Sequence, residues 1–328
     1  MATSSTIPSN QIGEVDWNFS VGDSKNLLDK LNRMPSNLGK IAARIGQGIR
    51  TSANEVYVLD KLTHEGSVIE ARSEKLSAVV EIEANAATPF LQGREIKRYN
   101  LLPTNKVVII PYRVTKLRTK RISENAVKRK FPLTYQYLVS NKPYLENREH
   151  GKMHGSFWYG YVYPKNADLM KQSKILVPDI ADKAAFALDE EGTYAFTSGY
   201  GITLKQDVPE SLKYLLGLLN SRLLNFYLKS VSTPMRGGFF RYFTQFMQQI
   251  PICRVDFGKP AEKAKHDKMV GLVERMLKLH KDKAAARLAT EKNMLQMQIE
   301  ATDTQIDMLV YALYGLTDDE IKVVEGAG

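Results

Sequence analysis

Residues 91–130 read LQGREIKRYN LLPTNKVVII PYRVTKLRTK RISENAVKRK. The short β-branched run at 106–111 reads as a buried strand. The stretch 124–140 that follows has helical character, and Pro132 must end or kink it. Strand and helix so close together fit an α+β fold, expected as a mixed β-sheet domain with packed helices. The same forty residues carry twelve cations: Arg94, Lys97, Arg98, Lys106, Arg113, Lys116, Arg118, Lys120, Arg121, Lys128, Arg129 and Lys130. Only Glu95 and Glu124 oppose them, so the segment holds 12 − 2 = +10. The whole chain has 46 basic and 36 acidic residues, so the remainder is balanced at 34 against 34. A charge excess confined to one segment makes a local field that attracts a polyanion, nucleic acid first among them. The alternative is a solvated basic face with no partner. Tyr99, Tyr112, Phe131, Tyr135 and Tyr137 interleave the charges, which predicts a folded segment and not a basic tail.

Outward from this segment, strands are expected at 55–59, 78–82, 157–163, 174–177, 184–188 and 194–197. Residues 1–23, rich in Ser, Thr, Asn and Gly, read as a tail or linker. Ser24 is placed to cap a helix bearing Leu27, Leu28 and Leu31. Asp207 and Pro209 are read as the start of a helix whose buried face runs from Leu212 to Phe226. The loop 230–242 contains Arg236, Gly237, Gly238, Arg241 and Tyr242. Paired glycines let a backbone approach a ligand closely, with arginines and aromatics suited to phosphates and bases; a plain turn between helices is the other reading. From 261 to 314 there is no proline and a single glycine, Gly271. Apolar seams there predict either one helix of about 80 Å or a helical hairpin. Such a segment serves as a coiled-coil arm, or as a helical cap on its own core.

Composition narrows the function. Apolar residues at 43% and charged residues at 25% suit a globular chain with a sizeable core. Cys253 is the one cysteine, which excludes an intramolecular disulfide or a cysteine metal cage and favours a cytoplasmic setting. No stretch approaches the roughly 18 apolar residues of a membrane helix. Catalytic signatures are missing as well. Asn141-Lys142-Pro143-Tyr144 only approaches the Asn-Pro-Pro-Tyr of adenine methyltransferases, and no glycine-rich strand-loop-helix precedes it. Pro178-Asp179 lacks the Asp/Glu-x-Lys of a nuclease site nearby; Glu320-Ile321-Lys322 has that form more than a hundred residues away. His150 and His154 are four apart, but Gly151 and Gly155 argue against a helix aligning them as ligands. There is no Gly-x-Ser-x-Gly elbow and no Walker loop.

Several segments, taken in order, carry a resemblance. They are Gln47-Gly48-Ile49-Arg50-Thr51, Leu91-Gln92-Gly93-Arg94-Glu95-Ile96-Lys97-Arg98-Tyr99, Val108-Ile109-Ile110-Pro111-Tyr112 and Leu145-Glu146-Asn147-Arg148. Trp158-Tyr159, Lys174-Ile175-Leu176-Val177-Pro178, Tyr214-Leu215-Leu216-Gly217-Leu218-Leu219-Asn220-Ser221, Arg236-Gly237-Gly238 and Ile250-Pro251-Ile252 follow. The series resembles the TaqI-like C-terminal specificity domain of adenine-specific DNA methyltransferases and restriction-modification enzymes. Thr51-Ser52 departs from it, standing where that family has Thr-Gly. The helical segment after Pro251 is similar to the spacer helices of Type I specificity subunits.

The resemblance implies a prokaryotic target-recognition domain over 24–256 and a helical spacer or docking domain over 257–328. It implies that the chain binds double-stranded DNA and delivers it to an adenine-N6 methyltransferase, and to a nuclease if one is attached. Those parts would lie in a separate subunit or in a longer chain of which this is the C-terminal piece. No cofactor is expected in this chain, and S-adenosylmethionine is expected in the methyltransferase partner. Arg94, Lys97, Arg98 and the cations from Arg113 to Lys130 would contact phosphates, with Arg113, Lys116, Arg118 and Arg121 nearest the groove. Arg236, Gly237, Gly238, Arg241 and Tyr242 would form a second wall. The helical arm would dock the methyltransferase or pair with a second copy. A rival reading is a basic module for RNA or an acidic protein.

Overall fold

In the computed structural model, which describes residues 22–115, 118–155 and 157–326, the 106–111 run forms the strand Lys106–Ile109. It lies inside a six-stranded sheet ordered Ala195–Thr197, Ala87–Gln92, Lys106–Ile109, Val58–Glu65, Val68–Ser73 and Ala78–Glu83. Its pairs are antiparallel except that of Ala195–Thr197 with Ala87–Gln92, which is parallel and makes the sheet mixed. A second, antiparallel sheet is ordered Ala42–Gln47, Gly199–Leu204, Lys174–Pro178 and Ala187–Asp189. The expected tail lies outside the described residues up to position 21, and so does Lys116.

One stretch of chain serves both sheets. Ala195–Thr197 closes the edge of the first and Gly199–Leu204 runs through the second, with Ser198 at a left-handed φ of 53° between them. Two glycines of the recurring motifs press against this crossing. A Cβ on Gly48 would lie 2.0 Å from the Phe196 carbonyl oxygen, and one on Gly93 would lie 1.9 Å from that of Ser198. The first motif also explains its own departure: Ser52 sits at φ 57°, a conformation glycine adopts without strain.

The apolar residues divide at the crossing. Residues between Ile49 and Ala195 fill one core around the six-stranded sheet. A larger core joins Leu27–Ala42, the second sheet, the helices Leu212–Leu219 and Arg222–Val231, and the C-terminal helices. The C-terminal region is a hairpin of Pro260–Ala285 and Ala289–Tyr314, broken where Ala286 turns extended. At roughly 1.5 Å per residue each arm is about 39 Å long, so of the two expected forms the chain takes the hairpin and not the 80 Å helix. The reason is burial: Met269, Val273, Met276 and Leu279 on one arm and Leu295, Ile299, Ile306 and Leu309 on the other face the shared core. Gly217 admits the first arm closely, since a Cβ there would meet Met269 Sδ at 2.5 Å.

Several local expectations are corrected. Residues 157–163 form turns instead of a strand, because side chains bind their carbonyls: Arg148 donates to Trp158 and Gly160, and Tyr57 to Tyr159 and Gly160. At 55–59 a helical turn, Asn54–Tyr57, precedes the strand. Ser211, not Asp207, caps the Leu212 helix, and Asn220-Ser221 divides its run in two. The Leu27 helix starts at Asp23 after Gly22, with no side-chain cap. The kink at Pro132 is present, separating Glu124–Lys130 from Pro132–Ser140.

The hairpin is tied to the basic segment through Arg98. Its guanidinium grips Asp303 with two bonds of 2.6 and 2.7 Å and donates to the Asn220 carbonyl at 2.6 Å. Nearby, burial raises the Asp307 carboxyl from 3.8 to about 6 although the Arg222 backbone N–H donates to it at 2.8 Å. The folded state therefore holds a proton the unfolded chain releases. Stability from this group falls as pH rises from about 4 to 6, by about 3 kcal/mol for a two-unit shift. His280 acts in the opposite sense. Burial, with Lys283 and Arg98 nearby, lowers it from 6.5 to about 4, so stability falls as pH drops through that window. Relative to the unaltered chain, the urea midpoint of His280→Gln is expected to rise as pH is lowered from 6.5 to 4.5, and that of Asp307→Asn to fall. Unchanged profiles in both would contradict these assignments.

Candidate nucleic-acid interface

Beyond the Lys106 strand the chain turns into a two-stranded ribbon, Tyr112–Val114 with Thr119–Arg121. Arg113 and Lys120 are direct cross-strand partners and both are exposed. Like charges facing each other on a ribbon oppose its formation, so something else must hold it. The support is a cluster of rings. Tyr112 packs edge-on to Phe157 at 5.7 Å and lies 5.2 Å from Tyr161. Arg121 lies over the Phe157 ring at 4.4 Å. Burial pushes the Tyr112 phenol up to about 12, so it stays neutral, accepting from the Tyr161 N–H at 2.8 Å.

Arg148 stabilises this cluster from beneath. It is 6% exposed and donates to the carbonyls of Leu145, Thr51, Trp158 and Gly160 at 2.8 to 3.1 Å. Four dipoles replace water around a buried charge that has no carboxylate in its bonding shell. The Leu145-Glu146-Asn147-Arg148 segment was part of the sequence pattern, but nothing in it marked the arginine as this anchor.

Between the ribbon, the helix Glu124–Lys130 and the ends of the inner strands Ala87–Gln92 and Lys106–Ile109 opens a cleft of about 490 Å³. Five cations line it, Arg113, Lys120, Arg121, Lys130 and Lys171, and no carboxylate does. Thr88, Asn85 and Ser123 supply the uncharged polar groups. Lys171 and Asn85 were not singled out by sequence. Lys171 lies forty residues past the basic segment and reaches the cleft at the end of the helical turn Ala167–Lys171. Cations collected without counter-charges concentrate a positive potential, suited to an anion that spans several of them.

The remaining expected residues are dispersed. Arg94, Lys97, Arg118, Lys128 and Arg129 are exposed but do not line the cleft. Among the described cations of 91–130, only Arg98 and Lys106 form ion pairs. Arg98 is therefore committed to the hairpin, and phosphate contact would require breaking that bridge. The 230–242 segment is a hairpin, Pro234–Met235 with Phe239–Arg241, and not a plain turn. Gly237 and Gly238 have φ of 86° and 79°, leaving Arg236 exposed at the tip beside Phe239, which is 42% exposed. Arg241 is half-buried over Phe243 at 4.9 Å. Tyr242 is a correction: at 1% exposure it packs on Phe186 in the core and forms no wall. None of these hairpin residues lines the ribbon cleft. Among the described residues no cluster of His, Cys, Asp and Glu suits a metal, and no helix is long and apolar enough to cross a membrane.

Comparison with known proteins gives one family model over residues 88–252, described as the TaqI-like C-terminal specificity domain. Curated relatives include the Type II restriction enzyme and methyltransferase RM.Eco57I of Escherichia coli, 25% identical over 92% of this chain and 31% of its own length. The Type II methyltransferase M.XhoI of Xanthomonas vasicola is 23% identical over 95% of the chain and 47% of its own length. M.HindII of Haemophilus influenzae is 26% identical over 48% of the chain and 31% of its own length. The chain thus spans 31 to 47% of the length of these relatives.

Proposed function

From the premise that the chain belongs to the TaqI-like C-terminal specificity domain family, we propose that it reads a short sequence in duplex DNA for a prokaryotic, cytoplasmic restriction-modification system. The observation that carries this reading is the ribbon cleft with five cations and no acid. Phosphate contacts from Arg113, Lys120, Arg121, Lys130 and Lys171 position the duplex, a role that carries no sequence information by itself. Sequence is then read at base edges, where Asn85 at the cleft and Arg236 at the hairpin tip have the right chemistry: amide groups pair with adenine, and guanidinium with guanine.

The chemistry belongs to an adenine-specific methyltransferase part, in the same or a separate chain. S-adenosylmethionine binds there, and the target adenine is turned out of the helix into that site. In this division residues 24–256 recognise DNA and 257–328 brace the recognition part for docking. A catalytic part outside this region agrees with the lengths of the relatives, since more than half of each lies outside the shared region.

The rival, an RNA-binding module, is separated by competition. Duplex DNA is expected to displace a bound labelled DNA duplex at least tenfold more effectively than structured RNA of equal length at 150 mM salt. Equal or stronger competition by RNA would favour the rival. A wide, shallow minor groove and 2′-hydroxyls demand a different surface from one that fits B-form DNA.

A further inference from the structure

The ribbon cleft has a lining that phosphate contact leaves unexplained. Its five cations are all exposed. Between them the cleft is lined by hydrocarbon: Ile110, Val114, Ile122 and Phe131 are half-buried and Met170 is buried. A phosphate needs charge and hydrogen-bond donors and gains nothing from such a lining, whereas an apolar surface gains by being covered from water. The exposed Asn85 amide at the same cleft adds a donor and an acceptor for the edge of a base. Size narrows the occupant further. About 490 Å³ falls within the roughly 300–1,000 Å³ of sites that enclose one small molecule. A B-form duplex, whose major groove alone is about 12 Å wide, cannot enter such a cleft.

We propose that the cleft receives one nucleotide of DNA turned out of the base stack, with its base on the apolar lining and its flanking phosphates on the cations. The assignment rests on the reading that the chain binds duplex DNA. It concerns a nucleotide other than the adenine delivered to the methyltransferase part. Chemistry selects this occupant. A phosphate alone leaves the hydrocarbon uncovered, and an uncharged apolar ligand leaves five cations without a counter-charge. A nucleotide within a strand joins a flat, hydrogen-bonding ring to a phosphate on each side. Bases outside a duplex are held in this way, by apolar and aromatic side chains on the ring and cations along the backbone. The cations come from three elements, the ribbon, the helix Glu124–Lys130 and the turn Ala167–Lys171, so a strand crossing the cleft meets charge from each.

Three labelled duplexes of one sequence test this with the full chain at 150 mM salt. One is fully paired, one carries a single unpaired thymine, and one has an abasic residue in place of that thymine. The unpaired thymine is expected to tighten binding at least about tenfold over the paired duplex, because its unstacking is already done. The abasic duplex should bind like the paired one, since a flexible backbone alone offers nothing to the apolar lining. An unpaired 2-aminopurine in the thymine's place should become shielded from acrylamide quenching on binding. Ala126→Trp fills the cleft without removing a cation and should bring the tenfold ratio to about one, with thermal unfolding checking the fold. Equal affinity for all three duplexes would overturn the proposal and leave duplex binding standing, whereas binding to none would remove that reading and the proposal with it. An abasic duplex that gains as much as the thymine would show recognition of a bend and not a base, and would also overturn it. Thymidine monophosphate at 1 mM should not displace the unpaired-thymine duplex. Displacement, with no preference for that duplex over the paired one, would assign the cleft to a free nucleotide and overturn the proposal.

Discussion

Replacing Arg113, Lys120, Arg121 and Lys130 together by alanine is expected to lower duplex affinity about a thousandfold at 0.1 M salt. The slope of log affinity against log salt should fall by about three to four. The reasoning is counterion release: each phosphate neutralised frees condensed cations, and each such neutralisation contributes about 0.9 to the slope. Removing four of these cations at once therefore changes the salt dependence as well as the affinity. All four side chains line one cleft and none forms an ion pair among the described residues; the one structural contact removed is that of Arg121 with the Phe157 ring, so thermal unfolding of the variant accompanies the titration. Lys268→Ala with Lys281→Ala, on the C-terminal hairpin, removes charge elsewhere and should leave the slope unchanged. Equal loss from both sets would mean that net charge, and not the cleft, governs binding.

Gly93→Ala and Gly48→Ala are expected each to cost more than about 4 kcal/mol, or to leave the chain unable to fold. A methyl at either position would lie about 2 Å from a backbone carbonyl oxygen, a distance no atom pair tolerates. The obstacle is main chain, so no side-chain rotation relieves it, and overpacking of this kind lies at the severe end of the range. The crossing cannot open locally either. Gly48 N–H donates to the Gly199 carbonyl and Ile49 N–H to that of Phe196, so the first motif is bonded to the segment joining the two sheets. Gly271→Ala is the control, since a Cβ there meets nothing within 4 Å of a helical position. Urea unfolding of the three variants measures the difference. A loss below about 1 kcal/mol in Gly93→Ala would mean that the sheets are not locked at this crossing.

These glycines show how far the sequence could be read. Both lay in motifs that carried the family resemblance, yet the reason for each is a carbonyl more than a hundred residues downstream. Spacing in a motif records that a residue type is required and not what it meets. Strands with β-branched runs, such as Lys174–Pro178 and Ala78–Glu83, were legible from local pattern. The turn at 157–163 was not, because its aromatic residues have strand propensity and the competing hydrogen bonds come from Arg148 and Tyr57. Periodicity in the C-terminal region gave the apolar seams but not their fold. A seam that buries against a core and one that pairs with another helix have the same spacing.

The functional surface divided in the same way. The concentration of charge at 91–130 was plain arithmetic, and it led to the ribbon. Its distribution was not, since Arg98 is drawn off to Asp303 while Lys171 is brought in from outside. Tyr242 was placed beside a ligand by its position in a glycine-rich loop. The chain instead turns inward past the second strand of the hairpin, Phe239–Arg241, and the tyrosine fills the core next to Phe186.

The most direct test of the central claim is selection of binding sites from a random duplex library by the purified chain, at 50 and 200 mM salt. Enrichment of one short motif that persists at the higher salt is the predicted result. Binding that falls by about 10³-fold or more between the two salts, with no motif enriched at either, would show contact with phosphates alone and contradict the claim that this chain reads DNA sequence.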